Sequence, residues 1–220
     1  MPSKYSKTKI SPLLKKKDDS NGFSLAQEEE FSWLDFKFTL SMTALLAVIH
    51  LSSGIIFGGD VLWSVPNKLV ELFALNNYLV LNNFEFYRIV TSMLIHGSII
   101  HLGGNLLFFL IFSIRLEELK GWKIAMLIFF VTGIAGNLLT LFVIGPNPAM
   151  WSLGASGAVD GVFSANLLAM RNEYDKGSIS ALFFIIIFAS LTLAGQNTNF
   201  LAHLGGLIAG VLVMYFIEER

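Results

Sequence analysis

Long apolar runs alternate with short polar connections along most of the chain after residue 37. Each run is close to the roughly 17–25 residues that a helix needs to cross a hydrocarbon core about 30 Å thick, although the fourth and fifth are slightly short. We therefore predict an all-α, polytopic membrane protein with a bundle of six transmembrane helices. The predicted spans are Phe38–Phe57, Ile89–Ile114, Trp122–Ile144, Ala155–Met170, Ile179–Ala194 and Phe200–Ile217.

The segment before the first apolar run differs sharply from the rest. Residues 1–37 contain the basic cluster Lys15–Lys17, the acidic run Glu28–Glu30 and no long apolar stretch. Such a composition is typical of a disordered tail. The sequence therefore predicts a polar cytoplasmic tail over residues 1–37, a six-helix membrane domain over 38–217 and a short cytoplasmic end over 218–220.

The composition supports a membrane location and narrows the chemistry. Hydrophobic residues make up 54% of the 220 residues, including 20 Phe, which is more apolar surface than one water-soluble core needs. The chain has no cysteine, which excludes disulfides, thiolate metal sites and a cysteine nucleophile. A net charge of −1 provides no basic field, so we expect the lipid bilayer, and not nucleic acid, as a partner.

The distribution of lysine and arginine predicts the orientation. With six spans, Lys68 and Arg88 lie on one side and the rest of the 15 basic residues lie on the other. Basic residues are enriched in cytoplasmic connections. Both termini are therefore expected in the cytoplasm, and the absence of an Arg-rich transit-like helix favours the cell membrane.

Polar side chains recur near one end of several predicted helices. Ser156 begins the fourth span, His203 lies in the first turn of the sixth, and the second span brings His96, His101 and Asn105 inward. With the predicted topology, all five lie towards the outer side. Because polar groups inside apolar helices are costly, they usually face one another or a wet cavity. We expect a single site that opens to the outer face.

Small residues on two helices predict that Ser156 and His203 meet. Ser156 lies in the turn GASG, where small neighbours let a substrate approach and the amides of the helix start are unpaired. His203 is followed by a small-xxx-small stripe, which lets another helix backbone come close. A matching stripe follows Ser156, so packing of these two helices would join the two side chains. The glycines of the stripes are Gly206, Gly210, Gly157 and Gly161.

These motifs, in this order and spacing, resemble the rhomboid family of intramembrane serine proteases. They are FYRIVTSMLIHGSIIHLGGNLLF, Leu116-Glu117 with Gly121, GASG and AHLGGLIAG, and the similarity runs from about Glu85 to the end of the sixth span. The resemblance implies hydrolysis of peptide bonds in or beside transmembrane segments of membrane-protein substrates. It implies an acyl-enzyme intermediate and neither a cofactor nor a metal.

The resemblance also implies roles for individual residues. Ser156 matches the nucleophile and His203 the general base. His101 and Asn105 match the side chains that stabilise the oxyanion together with the backbone N–H of Ser156. His96 matches a second-helix histidine that supports the structure.

Asp160 departs from the family pattern, which has an aromatic or small residue one turn after the serine. It lies on the same helix face as Ser156. One hypothesis makes Asp160 the third member of a triad that orients His203. The alternative is an acid in the water-filled cavity with no part in catalysis.

Two other functions stay open at this point. The first is a non-catalytic rhomboid-like protein that binds membrane clients, although such proteins typically lack the serine or the histidine. The second is a metal-dependent membrane hydrolase or transporter that uses the four histidines. It is disfavoured by the absence of a His-Glu-x-x-His motif and by the spacing of His96 and His101, which predicts different helix faces.

Overall fold

The computed structural model describes residues 35–60, 62–171 and 199–219. The longer helices are α1 (Lys37–Phe57), α5 (Ile99–Lys120), α6 (Trp122–Ile144), α7 (Ser156–Arg171) and α8 (Phe200–Glu218). The shorter helices are α2 (Asn67–Phe73), α3 (Asn77–Asn82) and α4 (Arg88–Thr91). The strands are β1 (Leu75–Asn76) and β2 (Trp151–Ser152).

The helical architecture agrees with the prediction of a membrane protein, and the count of six spans stays a prediction. In that part of the chain, 4 helices are long and apolar enough to cross a membrane: α1, α5, α6 and α8. Helix α7, the predicted fourth span, has 16 residues. The predicted fifth span, Ile179–Ala194, and residues 1–34 of the predicted tail lie outside the described residues.

The second span was predicted wrongly at both ends. The apolar run Ile89–Ile114 is divided into α4, a non-helical segment and α5. Helix α5 begins at Ile99 because the side chain of Ser98 caps it, accepting a 3.2 Å hydrogen bond from the His101 N–H. It continues to Lys120 and ends at Gly121, whose φ of 83° suits a residue without a side chain.

The fold also contains one short pair of β-strands, which the all-α prediction did not include. Strand β1 pairs antiparallel with β2, with Leu75 opposite Ser152 and Asn76 opposite Trp151. The side-chain amide of Asn76 also donates a 3.0 Å hydrogen bond to the Pro148 carbonyl. The connection between α2 and α3 therefore pairs with the segment that leads into α7 and fixes its position.

Three phenylalanines form a contact between α1, α5 and α6. Phe38, Phe109 and Phe129 are buried. The Phe109 and Phe129 ring centroids are 5.2 Å apart, and each lies 5.9 Å from that of Phe38. All three pairs have the edge-to-face arrangement that aromatic rings prefer. They pack α1, α5 and α6 against one another.

The buried carboxylate of Glu117 closes the amino end of α1. It accepts hydrogen bonds from the N–H groups of Phe38 (3.1 Å) and Thr39 (3.0 Å) and from the Thr39 hydroxyl (2.7 Å). The first N–H groups of a helix have no partner within the helix, and an anion is favourable there. Glu117 of α5 thereby attaches the start of α1 to α5.

Helix α7 is the centre of the fold and packs against α5, α6 and α8. Its contact with α8 is close because glycines face backbone. A Cβ on Gly206 would fall onto the Gly157 carbonyl, and a Cβ on Gly210 would fall onto the Gly161 carbonyl. The predicted close approach of the two glycine stripes is therefore confirmed, and it places α8 where His203 can reach α7.

We predict that Gly206→Ala destabilises this packing, because the added methyl group meets backbone that cannot move without separating α7 from α8. The cost expected of such overpacking is about 1–3 kcal/mol. Thermal unfolding of the purified protein in detergent measures it as a lower Tm. Ile208→Ala is the matched control, since Ile208 lies on the same helix and is 50% exposed. Equal Tm values for the two variants would contradict the prediction.

Candidate active site

Three separate hydrogen bonds hold the segment that precedes Ser156. The Gly154 N–H donates to the Ser92 carbonyl at 2.8 Å, and the Ala155 N–H donates to His96 Nε2 at 3.3 Å. The Ser152 hydroxyl accepts from the side-chain amide of Asn199 at 3.0 Å. The segment before the serine is thus held in place by residues of the α4–α5 connection and by the residue that precedes α8.

The imidazole of His101 lies directly against Gly154. A Cβ at Gly154 would be 2.8 Å from His101 Cε1 and Nε2, and the φ of 117° at Gly154 is unfavourable for any residue with a side chain. His101 Nδ1 faces the Gly97 N–H at 3.4 Å. With Nδ1 as the acceptor, the ring carries its proton on Nε2, on the side of Gly154.

Asn199 caps α8 and connects it to the rest of the site. Its side-chain oxygen accepts from the Ala202 N–H at 3.2 Å and from the Thr140 hydroxyl at 3.1 Å. Its amide nitrogen donates to Ser152. One side chain therefore joins α6, α8 and the segment before Ser156, four residues ahead of His203.

Ser156, His203 and Asp160 form a continuous chain of polar contacts. Ser156 Oγ lies 3.2 Å from His203 Nε2, and Asp160 Oδ2 lies 2.7 Å from His203 Nδ1. Asp160 is 1% exposed and His203 is 8% exposed. Ser156 and Asp160 stand one turn apart on α7, so both nitrogens of the α8 imidazole face the same helix.

Asn105 lies one turn after His101 on α5. Its side-chain amide donates a 3.0 Å hydrogen bond to the His101 carbonyl, and the residue is buried. An amide nitrogen carries two hydrogens, so this contact leaves one donor. Because His101 and Asn105 are four residues apart, they share a face of α5, and His101 on that face contacts Gly154.

The predicted place of His96 on the second helix is wrong. His96 lies in the segment between α4 and α5, because the helix starts only after Ser98. Its ring is fully buried, and its centroid is 5.2 Å from that of His101, so the two histidines are neighbours despite their spacing of five. By accepting from the Ala155 N–H, His96 supports the backbone next to Ser156.

A buried arginine holds together the connection between α1 and α4. Arg88 donates to the carbonyls of Ala74 (2.9 Å) and Glu71 (2.8 Å) and to the Glu85 carboxylate (2.6 Å). The hydrogen bond from Arg88 holds the pKa of the Glu85 carboxyl below its usual range. Large apolar side chains are exposed on the same loop, namely Trp63, Phe84 and Phe86.

Sequence reasoning missed three residues that position the site: Asn199, Ser152 and Ser92. A signal existed for Asn199, because it immediately precedes the apolar run of α8 and asparagine is a favoured N-cap. No comparable signal marks Ser152 or the Ser92 carbonyl. Their contacts depend on how distant segments meet.

The described residues offer no support for the metal-dependent alternative. In the ranges 35–60, 62–171 and 199–219, no group of three or more His, Cys, Asp or Glu side chains is arranged to hold a metal ion. His203 makes its contacts to Ser156 and Asp160.

Comparison with known proteins identifies the family. Residues 83–220 match the family model of the rhomboid domain. Rhomboid-like protease 3 of Toxoplasma gondii is 35% identical over 149 residues, which cover 63% of this chain and 54% of that protein. Putative rhomboid protease YdcA of Bacillus subtilis (strain 168) is 31% identical over 145 residues, which cover 63% and 70% respectively. Inactive rhomboid protein 1 of Drosophila melanogaster is 32% identical over 137 residues, or 59% and 9%.

The matched region contains more than half of the protein, including Ser156, Asp160 and His203. The chain spans about half the length of the first of these relatives. Two of the three relatives are named proteases and one is named inactive. The long apolar helices agree with the family assignment. The chain is therefore a membrane protein that belongs to the rhomboid family.

Proposed function

We propose that the protein is an intramembrane serine endopeptidase that cleaves transmembrane segments of membrane-protein substrates. The observation that carries the proposal is the 3.2 Å contact between Ser156 Oγ and His203 Nε2 at the start of a buried helix. A nucleophile within hydrogen-bond distance of a base is the arrangement that acyl transfer requires. Membership of a family with named proteases supports the same activity.

In the proposed reaction, Ser156 Oγ attacks the scissile carbonyl carbon while His203 Nε2 takes the hydroxyl proton. The carbonyl oxygen becomes an oxyanion in the tetrahedral intermediate. His203 then gives the proton to the leaving amine as the C–N bond breaks, which leaves an ester on Ser156. Water, deprotonated by His203, hydrolyses the ester and restores the serine. The reaction needs only side chains, backbone amides and water.

The proposal assigns three donors to the oxyanion, namely the backbone N–H of Ser156 and the side chains of His101 and Asn105. The N–H of Ser156 belongs to the first turn of α7, where amides have no partner within the helix. The Nε2–H of His101 faces the side-chain-free Gly154, and Asn105 has a second amide hydrogen. Donors of this kind lower the barrier because they are already oriented when the charge develops.

The length of α7 suits a site below the membrane surface. At 1.5 Å per residue, the 16 residues of α7 in the described part of the chain span about 24 Å, which is less than a hydrocarbon core of about 30 Å. If the carboxyl end of α7 reaches the cytoplasmic interface, Ser156 lies inside the outer leaflet. A substrate helix must unwind to offer an extended backbone to Ser156, so small or helix-breaking residues are expected near the cut.

The proposed location is the cell membrane, with both termini in the cytoplasm and the site open to the outer face. The positive-inside distribution of lysine and arginine supports this orientation. The expected partners are transmembrane protein substrates and the surrounding lipid. The alternative function is a rhomboid-like protein that binds clients without cleaving them. The Drosophila relative is named inactive.

We predict that a fluorophosphonate probe labels Ser156 in the detergent-purified protein, because His203 activates the hydroxyl and fluoride leaves as the serine–phosphorus bond forms. Mass mapping locates the adduct. Ser156→Ala and His203→Ala should each lose the adduct and reduce turnover by at least about 10³-fold. Ser164→Ala, a buried serine further along α7, is the control that keeps labelling. A folded wild-type protein without an adduct would instead favour client binding.

We predict that His101→Ala and Asn105→Ala lower kcat by about 10²–10³-fold each and change KM little, because an oxyanion donor acts mainly in the transition state. Cleavage of a transmembrane substrate in detergent over a range of concentrations separates the two parameters. Asn82→Ala is the control, since Asn82 bonds only within its own short helix in the described part of the chain. A rise in KM at constant kcat would assign these residues to substrate binding.

The orientation can be tested with single cysteines, since the chain has 0 Cys. Ala149→Cys, in the exposed loop before β2, should react with a membrane-impermeant maleimide in intact cells. Glu118→Cys, near the end of α5, should react only after permeabilisation. The reverse pattern would place the site on the cytoplasmic side and overturn the proposed orientation.

A further inference from the structure

Asp160 is an unusual residue to find in the interior of this fold. It is 1% exposed and lies on α7, which is surrounded by α5, α6 and α8. Its Oδ2 contacts His203 Nδ1 at 2.7 Å, while Oδ1 has no hydrogen-bond partner among the described residues. A buried carboxylate is costly unless a partner compensates it, and more so within a membrane.

Attachment of α8 to α7 does not explain the acid. The two helices already meet through the glycine contacts. Ser164, one turn further along α7, donates a 2.9 Å hydrogen bond to the Leu207 carbonyl of α8. A neutral side chain would serve as well for packing and would avoid burial of charge. The specific feature of Asp160 is therefore its contact with the catalytic imidazole.

The geometry favours one tautomer of His203. To accept the Ser156 proton, Nε2 must have its lone pair free, so Nδ1 must carry the hydrogen. A carboxylate oxygen 2.7 Å from Nδ1 accepts that hydrogen and stabilises this tautomer. When His203 takes the proton from Ser156, the imidazolium is paired with a negative charge. In a triad of this kind the proton stays on the histidine, and the acid remains ionised throughout.

We propose that Asp160 is a positioning residue that completes a Ser156–His203–Asp160 triad, with the serine and the acid one turn apart on the same helix. The proposal rests on the proposed peptidase activity. It predicts that Asp160 acts through the orientation and charge of His203 and that it contributes little to substrate binding.

The kinetic test compares Asp160→Asn and Asp160→Ala with wild type in the purified full chain. Both should lower kcat by at least tenfold and up to about 10⁴-fold, with KM changed less than about threefold. The asparagine variant should be no better than alanine, since its amide can hold the wrong tautomer. Asp160→Glu should recover part of kcat if its carboxylate reaches Nδ1. Ser164→Ala, which removes a buried α7–α8 hydrogen bond, is the matched control and should keep kcat within twofold.

A second measurement does not depend on turnover. The Nδ1 proton of a histidine bonded to a carboxylate gives a far-downfield proton NMR signal. Protein with ¹⁵N-labelled histidine should show this signal for His203 in wild type and in inactive Ser156→Ala, and Asp160→Ala should lose it. A matching circular dichroism spectrum and Tm within a few degrees establish that each variant is folded.

Turnover within twofold of wild type in folded Asp160→Asn and Asp160→Ala would overturn the triad and leave the Ser156–His203 dyad intact. A downfield signal unchanged by Asp160→Ala would also overturn it. By contrast, failure of the folded wild-type protein to react with the probe or to cleave substrate would reject the peptidase activity itself. The Ser156→Ala and His203→Ala variants test that activity independently of Asp160.

Discussion

The candidate site depends on the direct contact between the backbones of α7 and α8. Helices with ordinary side chains at their interface pack with axes about 8–10 Å apart. Here Gly206 and Gly210 of α8 meet the carbonyls of Gly157 and Gly161 of α7. This proximity allows the short side chain of Ser156 to reach an imidazole on the neighbouring helix. Larger residues at these glycines would push the two backbones apart and so separate the polar groups.

Buried polar groups elsewhere in the fold mostly satisfy backbone at the ends of elements. Glu117 accepts from the first amides of α1, Asn199 from the first turn of α8, and Arg88 donates to carbonyls that end α2. Since lipid offers no hydrogen bonds, such groups must find partners within the protein. The side chains of Asp160 and His203 differ because, in the described part of the chain, their hydrogen bonds go to other side chains and to no backbone group. One carboxylate oxygen of Asp160 also has no partner there.

Much of the helical fold could be predicted from the sequence, and the errors have physical causes. Helix α6 has the predicted bounds because glycines at 121 and 145 stand at the two ends of its apolar run. The start of the second span could not be predicted from hydropathy, since the chain stays apolar on both sides of the Ser98 cap. The strands have only two residues each and arise from pairing of distant loops, so no local pattern reveals them.

The candidate site, like the fold, could be predicted from the sequence only in part. The motifs predicted that Ser156 and His203 meet, because the two glycine stripes restrict how their helices pack. The position of Asp160 on the face of Ser156 was also evident from helical periodicity. Which nitrogen of His203 faces the acid depends on the rotation of α8 about its axis, which the sequence does not specify. The contacts of Ser152 and Ser92 depend similarly on the meeting of separate loops.

The location of Ser156 and Asp160 on one helix has a mechanical consequence. Within α7 the two side chains keep a fixed separation, because the helix between them is a single hydrogen-bonded turn. A shift or rotation of α8 would therefore change both His203 contacts together. One displacement of α8 would therefore lengthen the contact that activates Ser156 and the contact that orients His203 at the same time, so neither can be changed by helix movement without the other.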